Sequence, residues 1–145
     1  MINTFIQTIV RNNELFVIED KEGAAMSQSL LFQNEDGLPV GVICFWSDKN
    51  KAQNCCAEDW EEYRPQAICL GTFIEDYLVP VYNESLIAGL DFNESMEGTE
   101  ADPLHIIELL IAELKLQNKK PELEYFKDLN DLEQQLKRLI SQTIK

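Results

Sequence analysis

The order of apolar and polar positions in the first third of the chain predicts one helix followed by three strands. Apolar residues recur at helical spacing over residues 2–11, which indicates an amphipathic helix. Short apolar runs over 15–18, 24–32 and 39–46 are typical of strands, and the Asp-Gly pair at 36–37 predicts a turn before the last of them. The three strands are therefore expected to form an antiparallel meander.

The middle of the chain mixes short helical and short extended segments. Residues 49–56 and 58–63 are expected to be helical, and residues 66–70 are expected to form a short strand. Leu86-Ile87-Ala88-Gly89-Leu90, with Phe92, has no charged residue, so its side chains are apolar on both faces of a strand. Such a strand belongs in the centre of a sheet.

Capping patterns predict where two longer helices begin. Thr72 and Glu75 match a capping box, in which the hydroxyl and the carboxylate each accept a hydrogen bond from a free backbone N–H. The helix that follows should end or kink at Pro80. Asp102 is a favoured N-cap, and Pro103 suits the first helical position.

Two helices are predicted in the last third of the chain. The first has a stripe of five aliphatic side chains, at Leu104, Ile107, Leu110, Ile111 and Leu114. Residues 117–121 break it, and residues 122–145 are expected to form a further helix. Apolar side chains spaced alternately four and three apart give this helix a tail seam at Tyr125, Leu129, Leu132, Leu136 and Leu139. The tail seam either packs within the chain or serves dimerisation or partner capture.

These elements predict an α+β fold, with an antiparallel sheet of about four to five strands, helices packed on it and a C-terminal helix. A length of 145 residues fits one domain. Residues 1–117 are expected to be that domain. Residues 118–145 are expected to be a helical extension that packs on the domain or is used for association.

The charge of the chain excludes several classes of partner. There are 26 acidic and 12 basic residues, a formal net charge of -14. Such a surface repels nucleic-acid phosphates and anionic membranes, and it attracts a basic protein. The alternative is that the acidic surface only keeps the protein soluble and has no role in binding. The chain has no signal-peptide pattern and no apolar run of the roughly 20 residues that span a bilayer, so a cytoplasmic location is expected.

The sequence has few cysteine, histidine or glycine patterns that are typical of catalytic, metal-binding or phosphate-binding sites. Cys44, Cys55, Cys56 and Cys69 form no C-x-x-C pair, which favours small buried apolar residues over a disulfide framework. His105 is the single histidine, so a multi-histidine metal site is not expected. The six glycines match no phosphate-binding pattern. We therefore assign no catalytic, cofactor-binding or metal-binding residue and expect no cofactor.

An acidic cluster flanks two aromatic residues in the middle of the chain. Its carboxylates are Glu58, Asp59, Glu61 and Glu62. Trp60 and Tyr63 are spaced to dock on the core while these acids face water. The candidate partner-binding residues are the four acids together with three leucines of the tail seam, Leu132, Leu136 and Leu139.

A longer pattern rich in aromatic, proline and glycine residues runs through most of the chain. Its residues are Leu38-Pro39-Val40, Cys44-Phe45-Trp46-Ser47-Asp48, Ala52, Trp60-Glu61-Glu62-Tyr63-Arg64-Pro65, Ile68, Leu70, Phe73 to Leu78, Gly98-Thr99-Glu100, Pro103 and Leu104. This pattern resembles the bacterial family called domain of unknown function 2750, over about residues 12–117. The resemblance implies a small bacterial α+β domain. It supplies no accepted activity and therefore no catalytic residue.

Together these features favour a non-enzymatic, protein-binding or regulatory protein that resembles an immunity protein and has a basic partner. A homodimer through residues 122–145 is a further expectation. The alternative is a small metabolite-binding protein or enzyme, whose pocket would lie between the sheet and the helices.

Overall fold

The computed structural model describes residues 2–143 as helices packed on two joined β-sheets. Ile144 and Lys145, the last two positions of the predicted tail helix, lie outside the described residues. The strands are β1 (Leu15–Asp20), β2 (Gly23–Ala24), β3 (Met26–Gln33), β4 (Pro39–Phe45), β5 (Arg64–Ile68), β6 (Ile87–Leu90) and β7 (Thr99–Ala101). The α-helices are α1 (Ile2–Asn12), α2 (Lys49–Asn54), α3 (Leu70–Thr72), α4 (Val79–Asn83), α5 (Pro103–Leu116) and α6 (Leu129–Thr143). A 3₁₀ turn covers Glu58–Trp60, and a π-helical segment, Phe73–Leu78, joins α3 to α4.

The strands form two sheets that meet at one bridge. One sheet has the order β2-β1-β5, and the other has the order β3-β4-β6-β7. Neighbouring strands are antiparallel except β4 and β6, which run parallel. Phe16 and Trp46 exchange two backbone hydrogen bonds of 2.8 Å and so join β1 to the end of β4. The predicted α+β class, with a C-terminal helix, is confirmed.

The predicted three-stranded antiparallel meander is confirmed only in part. β3 pairs antiparallel with β4 as predicted, but the main partner of β1 is not the strand that follows it. β1 pairs at five positions with β5, which lies much later in the chain, and at only two with β2. The predicted strand over 24–32 is divided at Ala25, whose N–H donates to the Ile18 carbonyl while the chain crosses to the other sheet. An apolar pattern in the sequence predicts that a segment is a strand, but it does not predict which other strand it pairs with. Here the distant segment β5 forms more backbone pairs with β1 than the neighbouring β2 does.

Two apolar clusters form the core on either side of the joined sheets. The larger cluster includes α1, α5 and the leucines of α6 that face them, and it contains the whole predicted stripe of α5. The smaller cluster surrounds Trp46, which is fully buried, and includes Ile18, Ala52 and Phe92. The predicted central strand over 86–92 is confirmed at β6, because all four of its residues are buried.

The two predicted helix starts have different outcomes. Asp102 caps α5 as expected, accepting a hydrogen bond of 2.7 Å from the Leu104 N–H. Thr72 does not start a helix, because α3 begins at Leu70 and Thr72 has helical backbone angles and no capping bond. Pro80 does not end the helix either. The π-helical segment before it is wider than an α-helix, which leaves room for the proline ring.

Glu75 serves a different purpose from the predicted cap. Its carboxylate is buried and accepts backbone hydrogen bonds of 2.7–3.1 Å from Glu124, Tyr125 and Phe126. These donors belong to residues 118–128, here called the strap, which connects α5 to α6. One buried carboxylate therefore fixes the strap to the π-helical segment.

The strap explains why α6 begins seven residues later than predicted. The N–H groups of residues 124–126 bond to Glu75 and are unavailable to a helix that starts at 122. Asp128 accepts a hydrogen bond from the Asp131 N–H at 2.8 Å, and the Asp131 carboxylate accepts one from the Lys127 N–H at 2.9 Å. This reciprocal pair starts the helix at Leu129. Tyr125 is outside the helix and 75% exposed.

Replacing Gly71 tests whether the strap is closely packed. A Cβ at this position would lie 1.8 Å from the Glu122 carbonyl oxygen. We expect G71A to lower the free energy of unfolding by about 1–3 kcal/mol through overpacking. Helix propensity alone predicts the opposite sign, since alanine is about 1 kcal/mol better than glycine inside a helix. Urea unfolding measures the sign, and a more stable G71A protein would contradict the packing of the strap.

Candidate functional site

The four predicted acidic residues lie on the surface around the 3₁₀ turn. Glu58, Asp59, Glu61 and Glu62 are all exposed. Between them Trp60 is half-buried, and its ring meets that of Trp46 edge-on, with centroids 6.5 Å apart. The turn is therefore attached to the core by its aromatic residue and presents its carboxylates to solvent.

Two of these acids line a cleft that also receives residues from distant segments. Glu58 and Asp59 form one wall, Met26 and Ser27 at the start of β3 form another, and the loop between β6 and β7 adds Glu94 and Met96. The cleft has a volume of about 310 Å³, and Trp60, Cys55, Asn54 and Ala57 complete its lining. We call it the acidic cleft. Glu61 and Glu62 are outside its lining.

Local hydrogen bonds fix the loop that brings Glu94 to the acidic cleft. The Asn93 side chain accepts bonds from the N–H groups of Ser95 at 2.9 Å and Glu97 at 3.1 Å. The Trp46 indole N–H donates to the Phe92 carbonyl at 2.8 Å, which attaches the start of the loop to the core. The backbones of Glu58 and Met96 have φ values of +54° and +62°, which are uncommon for residues other than glycine.

The acidic cleft concentrates negative charge next to apolar and aromatic side chains. Within residues 2–143, ion pairs join Lys51 to Asp91 and Lys115 to Glu133, and neither uses a carboxylate of the acidic cleft. Carboxylates, an indole ring and two thioethers are groups that hold an ammonium or guanidinium ion together with its apolar stem. The arrangement can therefore bind a lysine or arginine side chain.

Sequence reasoning found Glu58 and Asp59 but missed Met26, Glu94 and Met96. These three residues reach the acidic cleft through the pairing of β3 with β4 and of β4 with β6. The acidic character of the segment after β6 was the one available signal for Glu94, and it did not show which surface that loop would join.

The thiols near the acidic cleft are not activated nucleophiles. Cys55 is buried in the floor, its Sγ lies 3.3 Å from the Phe92 carbonyl oxygen, and burial raises the pKa of its thiol. Burial also raises the pKa of Cys56, and it raises the pKa of Cys44 to about 12. These thiols stay protonated at neutral pH, whereas a nucleophilic cysteine needs its thiolate. Cys69 is exposed, with its Sγ 3.3 Å from the Thr72 hydroxyl oxygen.

The leucines predicted on the tail seam face the rest of the same chain. Leu132 and Leu136 are 2% and 4% exposed, and Leu139 is half-buried. All three line an apolar groove of about 310 Å³ between α4, α5 and α6, together with Val79, Tyr82, Asn83, Leu104, Ile107, Phe126, Gln135, Arg138 and Gln142. These three leucines of the tail seam thus pack within the chain, whereas Tyr125 does not. Association through residues 122–145 stays a prediction.

A second polar space lies where the parallel strands β4 and β6 end. This α1 crevice, of about 500 Å³, is lined by Thr4 and Thr8 of α1 and by Ser47, Lys51 and Asp91, among others. The Asp91 carboxylate accepts hydrogen bonds of 2.8 Å from the Ser47 N–H and hydroxyl, and Lys51 Nζ lies 3.5 Å away. Carboxyl ends of parallel strands are common ligand sites in α/β sheets.

Neither a metal cluster nor a membrane span is found in the part of the chain that the structure describes. His105 is exposed, and its Nδ1 lies 3.4 Å from the Glu108 carboxylate. No group of three or more potential ligand side chains within residues 2–143 is arranged to hold a metal ion. None of the helices there combines the length and apolar character needed to cross a bilayer.

The fold is that of a small α+β domain with an acidic cleft between the start of β3, the 3₁₀ turn and the β6–β7 loop. The family model described as protein of unknown function (DUF2750) matches residues 2–110, so the chain belongs to this family. The family resemblance is thereby confirmed, with α1 inside the matched residues and the strap and α6 beyond them. No curated protein and no solved structure matches the chain.

The state of the cysteines can be checked by alkylation of the native protein. We expect iodoacetamide near neutral pH to modify the exposed Cys69 and to leave Cys44 and Cys55 protected, because these two are buried and protonated. Mass spectrometry of peptides from native and urea-unfolded protein gives the extent of modification at each thiol. Rapid native alkylation of Cys55 would indicate a nucleophile in the acidic cleft and favour an enzyme.

Proposed function

We propose that the protein is a non-enzymatic binding or regulatory protein that docks on a basic protein partner through the acidic cleft, as an immunity protein docks on its toxin. The observation that carries the proposal is the position of Trp60, which lines the acidic cleft with Glu58, Asp59 and Glu94. A lysine or arginine of the partner would enter beside the indole ring, with its charge facing the carboxylates.

The electrostatics of the whole chain support the same role. A net charge of -14 attracts a positively charged protein over a range set by the salt concentration. Complementary charge of this kind raises the association rate and selects the partner, while contacts inside a pocket slow dissociation. Trp60 supplies such a contact, since a cation over an indole contributes about 0.5–2 kcal/mol depending on its burial.

Paired neutral substitutions test the acidic cleft against general surface charge. E58Q/D59Q removes two charges inside the acidic cleft, whereas E61Q/E62Q removes two charges from the neighbouring turn outside its lining. We expect a basic protein captured from a native lysate by the tagged wild-type chain to bind E58Q/D59Q at least about tenfold more weakly at low salt. It should bind E61Q/E62Q nearly as well as the wild type.

The salt dependence of the same titrations gives a second readout. The decrease in affinity with added salt should be smaller for E58Q/D59Q than for E61Q/E62Q, because fewer charges then face the partner. If the two variants bind the partner with equal affinity, the acidic cleft is not the binding site and the proposal is wrong on this point. An acidic or neutral captured protein would contradict the charge argument.

A second candidate function, binding of a small metabolite, is favoured by the α1 crevice. Hydroxyl groups of Thr8 and Ser47, a carboxylate at Asp91 and an ammonium at Lys51 line this space between the sheet and α1. A ligand held there should raise the thermal midpoint of the wild type in a screen of polar metabolites, with a smaller shift for T8V. A screen without any shift would count against this candidate.

A further inference from the structure

The hairpin of β3 and β4 exposes an unusual share of large apolar side chains. Among the side chains that the structure describes, six large apolar ones are exposed, and four of these are on this hairpin: Met26 at 52%, Leu31 at 74%, Phe32 at 44% and Leu38 at 59%. The other two, Leu116 and Tyr125, lie outside it. Isolated exposed leucines are ordinary on protein surfaces, but a group on one hairpin marks an interaction surface. We call Leu31, Phe32 and Leu38 the hairpin patch.

A buried hydrogen-bond network holds the hairpin patch in place. Gln28 pairs with Gly41 and Gln33 pairs with Pro39, so residues 29–32 bulge out opposite a single residue of β4. Ser29 is 6% exposed, and its hydroxyl oxygen accepts bonds from the N–H groups of Leu31 at 3.0 Å and Phe32 at 2.8 Å. The same hydroxyl donates to the Glu100 carboxylate. The bulge therefore has a defined backbone, on which the side chains of Leu31 and Phe32 are exposed.

The hairpin patch and the acidic cleft lie along the same edge strand. β3 is the outermost strand of its sheet, and Met26 at its beginning lines the acidic cleft. Leu31 follows Met26 by five positions on β3. Because a strand advances about 3.3 Å per residue, Leu31 lies no more than about 17 Å from Met26 along the strand. One partner segment can therefore contact both.

We infer that the partner presents an extended segment along the outer edge of β3, with a lysine or arginine in the acidic cleft and an apolar side chain on the hairpin patch. This inference rests on the proposed function, because the cation is the group that fixes the segment at the acidic cleft. A second copy of this chain fits less well, since each copy has a net charge of -14. A membrane fits less well for the same reason, since carboxylates repel anionic lipids.

Selection of random displayed peptides by the full-length chain tests the inference. Peptides enriched by the wild type should contain a lysine or arginine and, about five positions away, a large apolar residue, as an extended backbone requires. L31S/L38S should keep the preference for the cation, lose the preference for the apolar residue and bind the enriched peptides roughly tenfold more weakly. L116S removes an equally exposed leucine elsewhere and should behave as the wild type.

The outcomes separate this inference from the proposed function. If L31S/L38S keeps the apolar preference, the hairpin patch is not part of the surface and the inference fails, while the acidic cleft stands. If E58Q/D59Q enriches the same cationic peptides as the wild type, the proposed function fails and the inference fails with it. A wild-type dimer in light scattering that L31S/L38S converts to a monomer would overturn the inference in favour of a second copy.

Discussion

Trp46 is the residue on which the two sheets and the acidic cleft depend. Its backbone bonds to Phe16 and joins the sheets, and its indole N–H donates to the Phe92 carbonyl where the loop with Glu94 begins. Its ring also supports Trp60 edge-on. A buried indole must satisfy its N–H, and here the single donor fixes the loop that completes the acidic cleft. The cleft is thus built on the core.

Backbone hydrogen bonds to a buried carboxylate attach the strap to the rest of the chain. Glu75 is a buried carboxylate whose oxygens are occupied by the backbone N–H groups of the strap. Burying a charge is costly unless hydrogen bonds compensate for it, and several backbone donors do so here. Gly71, one turn earlier, lets the strap approach the helix closely. Two residues inside the family match therefore hold the strap, which lies beyond it.

The surfaces of the molecule differ in how their apolar residues are used. α6 buries Leu132 and Leu136 against the same chain, whereas the hairpin patch remains exposed although a buried network shapes it. A helix with an apolar stripe gains stability by finding any apolar surface, and the nearest one is intramolecular. Within the bulge, the Ser29 hydroxyl oxygen accepts hydrogen bonds from the N–H groups of Leu31 and Phe32, and it is these two side chains that stay exposed.

The sequence by itself determined the elements whose signals are local. The five-residue stripe and the Asp102 cap placed α5, and the apolar spacing placed α1, because helical periodicity and capping act within a few residues. Tertiary structure decided what depends on distant partners. It paired β1 with β5, directed Glu75 to the strap and brought Glu94 beside Glu58. A carboxylate's partner is chosen by whichever donors the completed fold places next to it, and no local pattern encodes that choice.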